Sequence, residues 1–295
     1  MTRRQSTAYL WVLPVLVPVF LFTLYPVAHA LWTSLHRSQV LLPGEPFVGF
    51  ANYASLLGDK MIWVALRNTL SFTLVAAPAT VALGLGVAYL LMADYPGRIY
   101  VRSVVLLPWA LPGAITAVVW TWVFHPSWGI LNHLLRLVGL IDNNIPWLTK
   151  PDLARMAVTV AHVWAQFPFA AVLMLAALSA IDVTLYSAAA IDGANAWQRF
   201  RFVTLPQIST MIAVLTVYET LIAITSYDVT YAMTGGGPGS ATTLLAFQIW
   251  KQSFSMLNFG NGAALAFLTA LLSLIFIALI LWAIPAELFR ADDES

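Results

Sequence analysis

The chain has 295 residues, of which 60% are hydrophobic and 9% are charged, and its mean hydropathy is +0.82. Soluble domains have about 25% charged residues, so this composition excludes a soluble protein and indicates an integral membrane protein. The net charge of +1, without a basic cluster, gives no reason to expect nucleic-acid binding. The absence of cysteine excludes disulfides, thiolate metal sites and a cysteine nucleophile, but leaves the redox compartment open.

Six uncharged stretches are long enough to cross the roughly 30 Å hydrocarbon core of a bilayer. They are residues 5–28, 68–93, 103–124, 156–181, 202–218 and 252–286. The pattern predicts an all-α membrane protein with six transmembrane helices, at about 8–36, 61–93, 101–125, 153–182, 206–234 and 258–287. Because these helices account for nearly all of the length, we expect one transmembrane domain over residues 1–295 and no soluble catalytic domain.

The first stretch also resembles a signal peptide, because Arg3 and Arg4 precede it and Ala28-His29-Ala30 could be a cleavage site. A signal peptide has an apolar core of about 7–15 residues, whereas this one approaches transmembrane length, which favours a retained helix. The two arginines favour a cytoplasmic N-terminus, and six crossings then place the C-terminus in the cytoplasm as well.

This orientation places segments 94–102 and 185–206, each with two arginines, in the cytoplasm. The agreement with the positive-inside rule is incomplete, because Arg37, Lys60, Arg136 and Lys150 fall in outer segments. The outer segments 39–60 and 126–151 mix aromatic and turn residues, which predicts short interfacial helices and packed loops.

The fourth stretch has His162, Gln166 and Phe169 at i, i+4 and i+7, which places them on one helix face. Polar side chains within a membrane are costly unless they face a cavity or one another, so this face is a candidate solute pathway. Interhelical hydrogen bonding and packing would explain the same residues without a solute. The chain's histidines do not form the metal-binding pattern H-E-x-x-H.

The loop at 185–206 follows, with the sequence LYSAAAIDGANAWQRFRFVTLP. Asp182 is placed to cap a helix over 183–191, Gly193 to end it, and Asn195 to cap a second helix. That second helix has an apolar face, with Trp197, Phe200 and Val203 at helical spacing. Physical reasoning leaves two interpretations open: docking into a partner's groove, or an amphipathic connector on the lipid headgroups.

The loop resembles the EAA loop of membrane subunits of ATP-binding-cassette (ABC) importers, which contact the ATPase subunits through it. Ala188, Ala189, Gly193, Leu205 and Pro206 occupy motif positions, and Ser187 stands where the family has an acidic residue. The resemblance implies a type I importer permease fold and a two-helix coupling loop over 183–206. The implied coupling residues are Ser187, Ala188, Ala189, Asp192, Gly193, Ala194, Trp197, Phe200, Leu205 and Pro206.

The fifth stretch repeats the polar spacing of the fourth, with Glu219, Ala223 and Ser226 on one face, Ile222 beside them and Asp228 near the outer end. Hydrogen-bonding groups combined with an aromatic ring suit a sugar, which offers hydroxyls and apolar faces. Counted from the loop glycine, these positions and those of the fourth stretch also resemble the sugar-holding positions of maltose-type permeases. Structural roles within the helix bundle remain an alternative.

Four further segments resemble carbohydrate-type importer permeases: FVGFANY at 47–53, NTLSFT at 68–73, LLPWALPG at 106–113 and YDVTYAMTGGGPGSAT at 227–242. They imply an importer of oligosaccharides, disaccharides or glycerol-phosphate compounds in a bacterial or archaeal cytoplasmic membrane. The implied partners are a second homologous permease, two ATPase subunits and an external solute-binding protein. TGGGPGS lacks the Lys-Ser/Thr pair of a P-loop, so we expect this chain to bind no cofactor and ATP with Mg²⁺ to bind the ATPases.

Two other classes of function are alternatives to an importer. An ion-coupled secondary transporter would use Glu219 and Asp228 as proton sites. An intramembrane enzyme would need a nucleophile with a neighbouring base, and the sequence offers no plausible pair.

Overall fold

A computed structural model describes Pro14 and residues 17–283, and this part of the chain is almost entirely helical. The helices are α1 (Val17–Ser34), α2 (Ala51–Gly58), α3 (Lys60–Met92), α4 (Arg98–Ala110), α5 (Gly113–Val123), α6 (Ile130–Leu137), α7 (Pro151–Ser179), α8 (Val183–Ile191), α9 (Ala196–Gln207), α10 (Ser209–Ile224), α11 (Asp228–Thr234), α12 (Leu245–Trp250) and α13 (Phe259–Ala283). Extended pairing within it is limited to two isolated bridges. The all-α fold class is confirmed. The charged residues on which the orientation rests, Arg3, Arg4 and the C-terminal tail, lie outside the described residues.

Among the described residues, four helices are long and apolar enough to cross a membrane: α1, α3, α7 and α13. Two bent pairs, α4 with α5 (102°) and α9 with α10 (66°), raise the number to six if each pair is one span. The first bend has a local cause: Leu111 is extended (ψ 134°) because Pro112 follows it, and a residue before proline avoids the helical region.

The fifth predicted span, 206–234, contains two breaks. Ile208 separates α9 from α10, and residues 225–227 separate α10 from α11. The Thr225 hydroxyl bonds back to the Leu221 carbonyl at 2.8 Å where α10 ends. The glycine-rich segment after Thr234 is a turn, as the sequence predicts: Gly235 and Gly236 both have positive φ, and no strand precedes them in the described part of the chain.

The described helices fall into two compact units. One comprises residues 17–63 and 248–270, which include α1, α2 and the first part of α13. Within it, the buried Asn52 amide donates to the Ser34 and His36 carbonyls at 2.8 and 2.9 Å, which fixes α2 against the end of α1. Helix α2 is the short helix predicted in segment 39–60; its interfacial location stays a prediction.

The second unit comprises residues 64–247 and 271–283. Helix α7 lies at its centre and packs against α4, α5, α10 and α11. Two hydrophobic clusters form its core, one around Phe72, Phe124 and Trp147, the other around Met174, Ile208 and Leu215. Helix α6 is the short helix predicted in segment 126–151, and its interfacial location likewise stays a prediction.

Helices α3 and α7 approach each other closely at Gly84. A Cβ atom placed there would lie 2.7 Å from the Ala170 Cβ and 3.1 Å from the α7 backbone. Small residues at such crossings allow backbones to pack tightly inside a membrane, where no hydrophobic force draws helices together. Gly86, two residues further along α3, has nothing within 4 Å of that position and is not constrained in this way.

Candidate functional site

The predicted loop contains two capped helices. The Asp182 carboxylate accepts the Thr184 backbone N–H at 2.8 Å, and this bond holds the pKa of Asp182 below its usual value. Gly193 has φ +77° and ends α8, where the Ala194 N–H donates to the Ala189 carbonyl at 2.9 Å. Both features confirm the prediction for residues 183–191.

Helix α9 begins with a reciprocal capping box. The Asn195 side chain accepts the Gln198 N–H at 2.9 Å, and the Gln198 side chain accepts the Asn195 N–H at 2.8 Å. The helix then widens into a π turn from Phe200 to Thr204 before Pro206 occupies a first-turn position of Leu205–Gln207. The second predicted helix is therefore present, but it is not uniformly α-helical.

Large apolar side chains of this loop are left uncovered. Ile191 is 88% exposed, Trp197 is 68% exposed, and Val183 and Phe202 are similarly open. Helix α8 has no buried residue at all. Such a concentration of exposed apolar side chains between polar caps is typical of a surface that another protein covers.

The predicted coupling residues fall into two groups by burial. Phe200 and Leu205 are half-buried, as are Ala189 and Ala194, so the chain itself partly covers these four. The exposed group is Ser187, Ala188, Asp192, Gly193, Trp197 and Pro206. The Ser187 hydroxyl donates to the Val183 carbonyl at 3.2 Å, so the residue at the acidic position of the motif bonds within its own helix.

Two contacts that the sequence did not predict attach the loop to its surroundings. The Tyr186 hydroxyl lies 2.9 Å from the Thr204 hydroxyl and joins α8 to α9. The Phe200 ring meets the Tyr89 ring of α3 edge to face, with centroids 6.1 Å apart. Tyr89 lies 111 residues earlier in the chain, so sequence spacing could not have indicated this pair.

The polar faces predicted on the fourth and fifth spans do meet. His162 of α7 is buried, and its Nδ1 lies 3.3 Å from the hydroxyl of Ser226, just beyond α10. The His162 ring also packs edge to face on Phe72 of α3, with centroids 5.0 Å apart. Three elements therefore converge at this histidine.

Phe169 belongs to an aromatic cluster. Its ring centroid lies 4.8 Å from that of Tyr218 on α10 and 5.6 Å from that of Trp109 on α4. Sequence reasoning missed both partners. Trp109 lies in the LLPWALPG segment, and Tyr218 directly precedes Glu219. Both residues therefore stood beside features of interest in the sequence, but nothing in the sequence indicated that they would contact Phe169.

Glu219 is fully buried, and neither carboxylate oxygen has a hydrogen-bond partner within the described part of the chain. The same holds for His162 Nε2 and for the hydroxyls of several buried threonines, which include Thr73, Thr80, Thr116 and Thr230. Buried polar groups in proteins are almost always paired, so this concentration within one unit marks a region built for polar contacts. Ala223 is also fully buried, while Gln166 and Ile222 are half-buried.

Asp228 differs from the other predicted pathway residues because it is exposed and lies at the start of α11. Its carboxylate rests against Gly113 at the start of α5, where a Cβ atom would collide with it. The structure therefore brings Asp228 together with the α4–α5 bend.

The chain is similar to known proteins in both sequence and fold. A family model described as binding-protein-dependent transport system inner membrane component matches residues 80–286. The trehalose/maltose transport system permease protein MalF of Thermococcus litoralis is 38% identical over 93% of this chain and 92% of its own length. The sulfoquinovosyl glycerol transport system permease protein SmoG of Agrobacterium fabrum is 35% identical over 90% of this chain and 86% of its own length. A bacterial ABC transporter involved in the import of the acidic polysaccharide alginate has a chain with TM-score 0.77, 23% identity and 95% coverage of both chains.

Proposed function

Because the chain belongs to the family of binding-protein-dependent transport system inner membrane components, we propose that it is the translocation subunit of an ATP-driven importer of a sugar-like solute. The observation that carries the proposal is the loop at 183–206, two capped helices whose apolar side chains are left uncovered. A loop of this construction suits docking on a partner protein better than a lipid surface, because helices that bind headgroups are rich in Lys and Arg on their polar face, and this loop has only Arg199 and Arg201.

The loop acts as a coupling element. Its helices are held together by the Tyr186–Thr204 bond, and α9 continues through the break at Ile208 into α10. When ATPase subunits close on ATP, the loop moves with them and shifts α10 and α3 between inward-facing and outward-facing arrangements. ATP and Mg²⁺ bind to those subunits. ATP drives the change only because it binds one state better than the other.

The solute passes the polar region between α7 and α10. Glu219 and Gln166 offer hydrogen bonds, and the Phe169–Tyr218 pair offers aromatic faces. These are the two kinds of contact that a polyhydroxylated solute needs. The names of the relatives, trehalose/maltose and sulfoquinovosyl glycerol permeases, support the same solute class.

The working complex contains this chain, a second homologous permease, two ATPase subunits and an external solute-binding protein. The family description itself names dependence on a binding protein. Both termini and the coupling loop lie in the cytoplasm, and α2 and α6 lie on the outer side.

A cysteine introduced at position 191, in a chain with no other cysteine, should react with a membrane-impermeant reagent only from the cytoplasmic side.

Reconstitution tests the function directly. The complete complex in vesicles, given binding protein and labelled solute, should accumulate solute only when ATP is present on the ATPase side. The purified chain alone should show no uptake under a proton gradient. Uptake by the chain alone, driven by that gradient, would support the ion-coupled alternative and overturn the importer.

Ser187 makes the coupling asymmetric. A serine that bonds within its own helix offers the ATPase no ion pair, so the loop of the partner permease carries the larger share if that partner has the acidic residue. Substituting Gly193 here should then reduce uptake less than the matching substitution in the partner. Equal losses from the two substitutions would contradict the asymmetry.

A further inference from the structure

Two adjoining cavities lie between α3 and α7 in the second unit. The larger, about 650 Å³, has mainly apolar walls that include Val75, Leu83, Met156 and Val160. The smaller, about 440 Å³, has mixed walls, whose polar and basic part consists of Arg67, Thr149, Arg155 and Ser240. Arg155 and Ala241 border both, so the two cavities form one groove with a basic end and an apolar end.

Hydrogen bonds between distant segments fix the walls of this groove. The Asn68 amide donates to the Ser240 and Thr243 carbonyls at 2.9 and 3.1 Å. The Thr69 hydroxyl accepts the Leu245 N–H at 2.9 Å. Arg155 Nε donates to the Ala241 carbonyl at 3.1 Å, which holds its guanidinium between the two cavities.

We expect the two arginines to lie at the level of a bilayer's headgroups, because each bounds an uncharged stretch of transmembrane length. Arg67 is the last charged residue before the uncharged stretch 68–93, and Arg155 is the last before 156–181. Uncharged stretches of this length fill the hydrocarbon core, so the residues that bound them at one end meet the phosphates. Both stretches begin here, and the groove descends from the arginines along them.

The basic end carries a net positive charge. Arg155 Nη1 contacts Asp152 Oδ1 at 2.8 Å, but the Asp152 side chain is 93% exposed and solvent weakens such a pair. Arg67 forms no ion pair with any residue that the structure describes. Two arginines and one exposed carboxylate therefore leave about one positive charge available to an anion.

We propose that the groove binds one anionic phospholipid, with the phosphate between Arg67 and Arg155 and an acyl chain along the apolar end. A transported sugar fits poorly, since its hydroxyls would find few hydrogen-bond partners among valine, leucine and methionine side chains. An apolar helix of a partner protein would fill the apolar end without using the arginines. The phospholipid is the occupant that uses both ends.

Native mass spectrometry of the purified complex tests whether the two arginines bind the lipid phosphate. The lipids added are dioleoylphosphatidylglycerol and dioleoylphosphatidylcholine. The wild-type complex should retain phosphatidylglycerol preferentially. The double variant Arg67→Gln/Arg155→Gln should lose at least about tenfold in affinity for it, because charge-assisted hydrogen bonds to phosphate are lost. Arg136→Gln, at an exposed arginine on α6, removes one positive charge outside the groove and should change nothing, whereas Arg155→Gln alone, which also removes one charge, should weaken binding.

A variant that binds the lipid more tightly complements the double variant, because misfolding can explain a loss of binding but not a gain. Asp152→Asn frees Arg155 from its ion pair and should raise the affinity for phosphatidylglycerol several-fold. Unchanged phosphatidylglycerol binding in the double glutamine variant would overturn the proposal. Equal retention of phosphatidylcholine by the wild-type complex would also overturn it.

Substitutions that fill the apolar end of the groove test whether an acyl chain binds there. Ala79→Phe places a ring in the apolar cavity and should release the lipid, whereas Leu74→Phe, at an exposed α3 position outside the cavity, should not. Val160→Cys adds the only thiol of this chain. Cross-linking of that thiol to another polypeptide of the complex would show that a protein occupies the groove. These readouts measure lipid occupancy, so a failure of the importer proposal would leave them intact.

Discussion

Replacing Trp197 by alanine should weaken docking of the ATPase subunit on the coupling loop. A tryptophan has up to about 250 Å² of surface, and 68% of Trp197 is exposed, so about 170 Å² is available to a partner. At about 25 cal/mol per Å², complete burial would contribute about 4 kcal/mol. Incomplete burial and the cost of ordering the side chain reduce this to about 2 kcal/mol, or about 30-fold in Kd.

Surface plasmon resonance measures the equilibrium binding of the purified ATPase subunit to the permease complex. Trp197→Phe keeps most of the apolar area and should cost only a few-fold. Trp128→Ala is the matched control, because Trp128 is 60% exposed but lies in segment 126–151, which the sequence predicts to face the outside, so its loss should leave the affinity unchanged. Binding of the Trp197→Ala variant within twofold of the wild type would refute the docking role of this surface.

Three further predictions concern packing, capping and the solute pathway. Gly84→Ala should lower the free energy of unfolding by about 1–3 kcal/mol, seen as a lower melting temperature, because the added Cβ would collide with α7. Gly86→Ala, whose Cβ would meet open space, should be neutral or slightly stabilising in the same melting experiment. Asn195→Ala should cost about 1 kcal/mol of helix stability and speed amide hydrogen exchange at the start of α9; unaltered exchange would argue against the cap. Gln166→Ala and Glu219→Ala should each lower solute uptake while the ATPase subunits still co-purify, and normal uptake in both would remove them from the pathway.

The parts of the coupling loop that the sequence could predict are those determined by local chemistry. Asp182 and Asn195 cap helices through hydrogen bonds to groups two or three residues away. Gly193 supplies the left-handed conformation that ends α8, which other residues adopt only with strain. Such features depend on a few adjacent residues, and their spacing is therefore visible in the chain itself.

The contacts that make a site from these elements were not predictable in the same way. Phe169 meets Tyr218 across 49 residues, and His162 meets Ser226 across 64. Helical spacing indicated that each residue shares a face with its own neighbours, but it does not determine which faces pack together. That depends on the crossing geometry of α7 and α10, and on close approaches such as Gly84 that only the assembled bundle shows.

The loop is extensively bonded within itself, and this bears on how it could transmit motion. Inside the loop, the Asp182 cap stabilises α8, the capping box stabilises α9, and the Tyr186–Thr204 pair joins the two helices. Its contact with α3 runs through Tyr89, whose ring meets the Phe200 ring edge to face. An element of this kind moves as a unit when a partner pulls on it, because its several internal bonds survive while an edge-to-face ring contact, worth about 0.5–1.5 kcal/mol, can slide. Tyr186→Phe should therefore reduce coupling, measured as solute transported per ATP hydrolysed, more than Tyr89→Leu does; the opposite order would mean that the contact with α3 transmits the movement.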